Sequence, residues 1–216
     1  LQFQDKAFII LVRHGEVKAK TGTLYGQIDV PLSKRGILQS LNLIKSLESL
    51  DKKLKIHQIF TSPLKRCLFP AEKLAKSLKV PLIIEDDLKE LNFGKWSGKT
   101  WEELAQLKEF WEFYKNENFS PPEGESIKDL KQRVKKFLKK LITLEKENLK
   151  NVVIFTHSGF IRAFFVEVFS LPMLKYFNVE ILPCKLVCFN FFLPDTFILK
   201  FWNISPGSLK IYSSIL

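Results

Sequence analysis

Apolar runs and apolar stripes alternate along most of this chain. Phe8-Ile9-Ile10-Leu11-Val12 is unbroken apolar sequence closed by a charged residue. Such a run predicts a strand buried on both faces. Val152-Val153-Ile154-Phe155 reads the same way, Ile56 to Phe60 reads as a second strand, and Val80 to Ile84 reads as a short strand held near an edge by Pro81. Between the strands the apolar positions recur at helical spacing. Ser33 is placed to cap a helix running to about Leu50, with Leu41, Ile44 and Leu47 facing inward. Pro63 opens a second helix, to about Leu78. From Ser126 onward Ile127, Leu130, Val134, Phe137, Leu138 and Leu141 interleave with Lys131, Arg133, Lys135, Lys136, Lys139 and Lys140. That pattern gives one core face and one solvated face. A further helix spans about Gly159 to Phe169. Lys185 to Leu193 and Thr196 to Ile204 read as a closing antiparallel hairpin through Pro194-Asp195. Strands alternating with helices predict a three-layer α/β/α fold with a mostly parallel central sheet.

Residues 86–125 interrupt this rhythm. They are irregular and aromatic, with Phe93, Trp96, Trp101, Phe110, Trp111, Phe113, Tyr114 and Phe119. Thr100-Trp101-Glu102-Glu103 is a capping-box pattern and predicts a short helix there. The aromatic stretch reads as packing, though its rings would also suit a stacked planar ligand. With no repeat or low-complexity linker, residues 1–216 are expected to form one domain, with 86–125 as a cap-like region.

Composition narrows the function classes. The chain has 216 residues, 46% of them hydrophobic, as expected of a globular protein. Phe160 to Leu171 is broken by Arg162 and Glu167, so no membrane span is expected. Leu1 to Lys6 lacks the features of a signal peptide, although the chain does not open on Met and a removed leader stays open. The three cysteines, Cys67, Cys184 and Cys188, have neither zinc nor redox spacing. They are expected as buried free thiols of a cytoplasmic protein. A net charge of +11 favours an anionic substrate. The lysines are spread over helix faces, so no specific nucleic-acid role is expected. The phenylalanine-rich hairpin leaves monomer or homodimer open.

Chemistry concentrates at strand ends. Arg13-His14-Gly15-Glu16 follows the first strand, and Thr156-His157-Ser158-Gly159 follows the fourth, so two of three histidines sit in equivalent places. Open α/β sheets bind ligands at that edge. A neutral imidazole takes a phosphoryl group well, and the N–P bond is readily broken again. Such a site also needs cations around the phosphoryl oxygens. Arg13 adjoins His14, and Arg66, in Ser62-Pro63-Leu64-Lys65-Arg66, projects from a helix start after a strand. His157 is suited to hold a phosphate oxygen. Glu90 is the candidate general acid, serving as base toward water in the second half-reaction. Tyr25 and Gln27 either bind substrate or shape their loop. His57 reads as structural, and Arg162 as supporting sheet or helix, with contact to substrate the lesser alternative.

These segments, taken in order, resemble the histidine phosphatase superfamily, in the branch that includes phosphoglycerate mutases and α-ribazole phosphatase. The resemblance rests on Arg13-His14-Gly15-Glu16, Asp29-Val30-Pro31-Leu32-Ser33 with Gly36, and Ser62-Pro63 with Arg66. It continues through Glu90-Leu91-Asn92-Phe93-Gly94 with Trp96 and Gly98, Gly124-Glu125-Ser126, and His157-Ser158-Gly159 with Arg162. It implies a phosphoglycerate mutase-like fold and a metal-independent, cofactor-free phosphomonoesterase in which His14 becomes phosphohistidine. Within the family, Tyr25-Gly26-Gln27-Ile28-Asp29 and a compact spacing between Glu90 and His157 resemble α-ribazole phosphatase. The implied substrate is α-ribazole 5′-phosphate, in cobalamin lower-ligand assembly. Alternatives are a broad small-molecule phosphatase acting on phosphoserine or a sugar phosphate, a mutase, or a non-catalytic phosphate-binding regulator. Lys20 departs from the pattern, standing where many relatives carry an Asn.

Overall fold

A computed structural model describes residues 6–147 and 150–208. The residues 1–5 that bear on a leader lie outside it. Six strands form one sheet: β1 (Ala7–Arg13), β2 (Ile56–Thr61), β3 (Leu82–Ile84), β4 (Asn151–Thr156), β5 (Leu186–Phe192) and β6 (Thr196–Ile204). Their order is β3-β2-β4-β1-β5-β6. The pairings among β3, β2, β4 and β1 are parallel, and β5 and β6 add on antiparallel. The sheet is therefore mixed, parallel where the candidate residues sit.

The unbroken apolar runs have a direct structural cause. Successive residues of a strand point to opposite faces. In β1, Ile9 and Leu11 enter one core while Phe8, Ile10 and Val12 enter the other. Helices α1 (Lys34–Leu54) and α2 (Lys65–Leu78) cover the second face through Leu43, Leu47, Ala71 and Leu74. Helices α5 (Ile127–Glu147) and α6 (Ser158–Val168) cover the first through Leu130, Phe137, Phe160 and Phe164. Between β3 and α5 lie two short helices, α3 (Trp101–Leu104) and α4 (Lys108–Phe113), separated by irregular chain.

Local signals explain the helix ends. The Ser33 hydroxyl accepts from Gly36 N at 3.0 Å and starts α1. The Thr100 side chain caps Glu103 N, and Glu103 Oε2 returns the bond to Thr100 N at 2.6 Å. Two expectations change. Leu41 is 36% exposed, and Leu43, fully inward, takes its place beside Ile44 and Leu47. Helix α2 begins two residues after Pro63, with Leu64 at its cap, and instead carries Pro70 inside. The basic face of α5 is laced to acids: Lys131 and Lys135 pair with Glu167, Lys136 with Asp87, and Lys140 with Glu85.

Candidate active site

The parallel pairing of β1 and β4 sets Arg13 opposite Thr156. The next residue on each strand is a histidine, so His14 and His157 come side by side, ring centroids 5.2 Å apart. Strand β2 ends next to β4 and is followed by Ser62, and Arg66 is the second residue of α2. Residues from three separated segments thus meet at one sheet edge.

His14 is 2% exposed. Its Nδ1 lies 2.7 Å from the carbonyl of Gly15. A carbonyl only accepts, so Nδ1 carries the proton and Nε2 keeps its lone pair. Burial, then Arg66 and Arg13, hold the imidazole well below the usual histidine range and so keep it neutral. His157 is fully buried. Arg66 Nε donates to its Nδ1 at 3.3 Å, which leaves its Nε2–H to donate to Ser62 Oγ at 2.8 Å. Burial, Arg66 and His14 depress this ring as well. The Cys67 thiol packs against it, 3.5 Å from Nε2, and burial pushes that thiol well up.

Arg66 is a large charged side chain with no exposed surface. Besides His157 it donates to Ile28 O at 2.8 Å and Gly26 O at 2.6 Å, and its guanidinium lies 5.0 Å from the Tyr25 ring centre. It ties the loop after β1 to the site. Arg13 donates through Nη1 to Ile181 O at 2.5 Å, while its buried Nε has no partner. The Glu90 carboxylate sits at the start of α6. Its Oε2 accepts from Ser158 Oγ and Gly159 N, both at 3.2 Å, and its Oε1 accepts from Leu91 N at 2.9 Å.

A cavity of about 250 Å³ opens beside these groups. Its polar wall is Arg13, Tyr25, Glu90, Ser158 and Arg162, and its apolar wall includes Phe93, Trp101, Phe110, Phe113, Tyr114 and Phe177. His14, Arg66 and His157 are buried and outside the cavity lining, with the His14 ring centre 6.4 Å and the Arg66 guanidinium 5.0 Å from the ring centre of Tyr25, which lines it. Gln27 lies elsewhere: it lines a shallow polar recess, and its Nε2 donates to Glu90 O at 2.9 Å. Lys20 is exposed and outside the cavity wall. His57 accepts from Asn151 N at 3.0 Å at the opposite end of the sheet.

Two further polar residues line the cavity: Arg162, read from sequence chiefly as support, and Tyr176, which sequence reasoning missed. Arg162 lines the wall, its buried Nε has no partner, and its guanidinium lies 5.8 Å from the Tyr176 ring centre. The available signal was the one cation of α6, one turn beyond Ser158. Tyr176 comes from the turn Met173–Asn178, which carries no motif. Among the described residues no three His, Cys, Asp or Glu side chains come together as a metal-ligand set. No helix there is long and apolar enough to cross a membrane.

A family model described as the histidine phosphatase superfamily (branch 1) matches residues 9–205. The chain belongs to that superfamily, and by class it is a phosphatase. A 2,3-bisphosphoglycerate-dependent phosphoglycerate mutase of Chlamydia pneumoniae is 27% identical over 211 residues, covering 81% of this chain and 90% of the mutase. An adenosylcobalamin/α-ribazole phosphatase of Salmonella typhimurium is 29% identical over 178 residues, covering 79% and 84%. The solved structure of a phosphoserine phosphatase from Entamoeba histolytica, in complex with phosphoserine, superimposes with a TM-score of 0.77 at 27% identity, covering 92% of this chain and 98% of that one.

Proposed function

We propose that the protein hydrolyses small phosphate monoesters through phosphorylation of His14 Nε2. The observation that carries this reading is the state of His14: neutral, with its proton fixed on Nδ1 by Gly15 O and a lone pair free on Nε2. In the first step Nε2 attacks phosphorus and the P–O bond to the leaving alcohol breaks. Arg13 supplies its unpartnered Nε–H to a phosphoryl oxygen. Arg66 uses three of its N–H groups internally and offers the remaining ones to the same oxygens. His157 faces them from the adjacent strand end. Glu90 gives its proton to the departing alkoxide. In the second step it removes a proton from water, which attacks phosphohistidine and releases phosphate. The positive groups act where phosphoryl transfer gains most, on oxygens bearing charge in the transition state.

The aromatic wall supports a leaving group with a planar ring. Among the substrates expected from sequence, α-ribazole 5′-phosphate fits best, its benzimidazole lying against Trp101 and Tyr114 with residues 86–125 as the cap. One observation favours a second reading. Arg162 makes no ion pair among the described residues, and a leaving group carrying a carboxylate, as in phosphoserine, would supply one.

The test is phosphate release from α-ribazole 5′-phosphate, phosphoserine, 3-phosphoglycerate and phenyl phosphate, with EDTA present, for wild type and His14→Ala. Mass spectrometry after an alkaline quench looks for phosphate on His14. Turnover of at least one ester, phosphate on His14 and an inert variant are expected. Full activity in His14→Ala would sink the mechanism. Phenyl phosphate alone turning over would sink both substrate readings.

A further inference from the structure

The segment that carries Glu90 has no regular structure of its own. After the edge strand β3, it runs from the short turn Asp86–Leu88 to the short turn Gly94–Trp96. Unpaired backbone carbonyls in such a segment must be satisfied by something else. Here four in a row are taken by side chains. Arg133 Nη1 donates to Asp87 O at 2.6 Å and to Lys89 O at 3.0 Å. Thr156 Oγ1 donates to Leu88 O at 2.7 Å. Glu90 O receives Gln27 Nε2 at 2.9 Å and Arg133 Nη2 at 3.3 Å.

Arg133 is itself fixed. Glu125 accepts from its Nε at 2.6 Å and its Nη2 at 2.8 Å, a two-point pair that sets the plane of the guanidinium. The same Glu125 carboxylate accepts from Asn92 N at 3.1 Å, and Glu125 N donates to Asn92 O at 2.8 Å. One ion pair therefore grips both sides of Glu90. Both partners are largely shielded from water, with side chains 19% and 14% exposed. Neither side chain lines the cavity that holds the Glu90 carboxylate.

We propose that Arg133, oriented by Glu125 and assisted by Gln27, is a positioning residue for the proton donor Glu90. It holds the backbone so that the carboxyl group meets the leaving oxygen. The inference rests on the reading of Glu90 as general acid, and the experiment separates the two. A carboxyl group displaced by about 1 Å loses roughly 100-fold in rate. That loss falls on esters whose alcohol must be protonated as it leaves. It spares 2,4-dinitrophenyl phosphate, whose phenolate departs without a proton. A structural defect that only lowers the active fraction reduces both esters alike.

The measurement is kcat/KM for phenyl phosphate and 2,4-dinitrophenyl phosphate, in wild type, Arg133→Gln, Gln27→Ala and Glu90→Gln. This parameter covers events up to phosphoryl transfer and is blind to hydrolysis of phosphohistidine. Arg133→Gln is expected to lose about 100-fold on phenyl phosphate and less than about 3-fold on the dinitrophenyl ester. Gln27→Ala, which removes a single amide donor, shows the same pattern with a smaller loss and carries the test should Arg133→Gln not fold. Equal losses on the two esters, or no loss in either variant, overturn the inference. If Glu90→Gln itself loses equally on both esters, Glu90 is not the proton donor and the mechanism proposed above fails instead.

Discussion

Gly159 separates activity from stability at a single atom. A Cβ built there falls 2.0 Å from Glu90 Oε1 and 2.8 Å from Tyr176 Oη. Real Cβ atoms keep at least 3.0 Å from other heavy atoms, so the carboxylate oxygen must retreat by about 1 Å. Both atoms are ends of side chains, and the backbone need not move. The hydrogen bond from Gly159 N to Glu90 Oε2, 3.2 Å long, is distorted by the same shift. A misplacement of that size costs about 100-fold, or about 2.7 kcal/mol of transition-state stabilisation. The helix meanwhile gains, because Ala is favoured over Gly in helices by up to about 1 kcal/mol. Gly159→Ala is therefore expected to keep or slightly raise Tm while kcat/KM for phenyl phosphate falls about 100-fold. In a Glu90→Gln background the same substitution should have little further effect, since the two act through one group. Activity within about 3-fold of wild type would refute the reasoning, because the carboxylate position would then be shown not to matter.

Two more outcomes follow from the site. The folded pKa values of His14 and His157 lie below 6.5, the value of an unperturbed imidazole. Below that pH the unfolded chain binds protons the folded chain refuses, so the stability contributed above 6.5 is lost progressively as pH falls toward the folded values. The slope is up to about 1.4 kcal/mol per pH unit for each histidine. Urea unfolding from about pH 7 to pH 5 should show it, and His14→Asn should remove about half of it; a variant with the wild-type slope contradicts the assignment. For Arg162, replacement by Gln is expected to raise KM for phosphoserine about tenfold more than KM for phenyl phosphate, by loss of a charge-assisted bond. An equal change in both would remove the case for a carboxylate-bearing leaving group.

Much of the framework was legible in the order of residues. Five apolar residues before Arg13 and four before Thr156 require strands with two buried faces, and the sheet has both cores. Ser33 and Thr100 announced helix starts because a cap acts within three residues. Which face of α1 turns inward was less legible. Leu41 and Leu43 both fit a helical stripe, and packing against α2 and the sheet chose Leu43. The family motifs named His14, Arg66, Glu90 and His157, whose meeting also depends on which strands are neighbours. That β1 lies between β4 and β5 was not written in either histidine motif.

Interactions within a turn of helix or a strand depend on neighbours along the chain, and the sequence by itself determines them: strand runs, caps and the alternation of layers. Tertiary structure alone decided the tautomer of His157, which follows from Arg66 on another element. It alone turned Gln27 toward the Glu90 backbone, brought Tyr176 to Gly159, and clamped residues 87–92 with an arginine from α5. Those contacts join groups far apart in sequence, and a hydrogen bond, needing atoms within about 3 Å, exists only once the chain has closed around them.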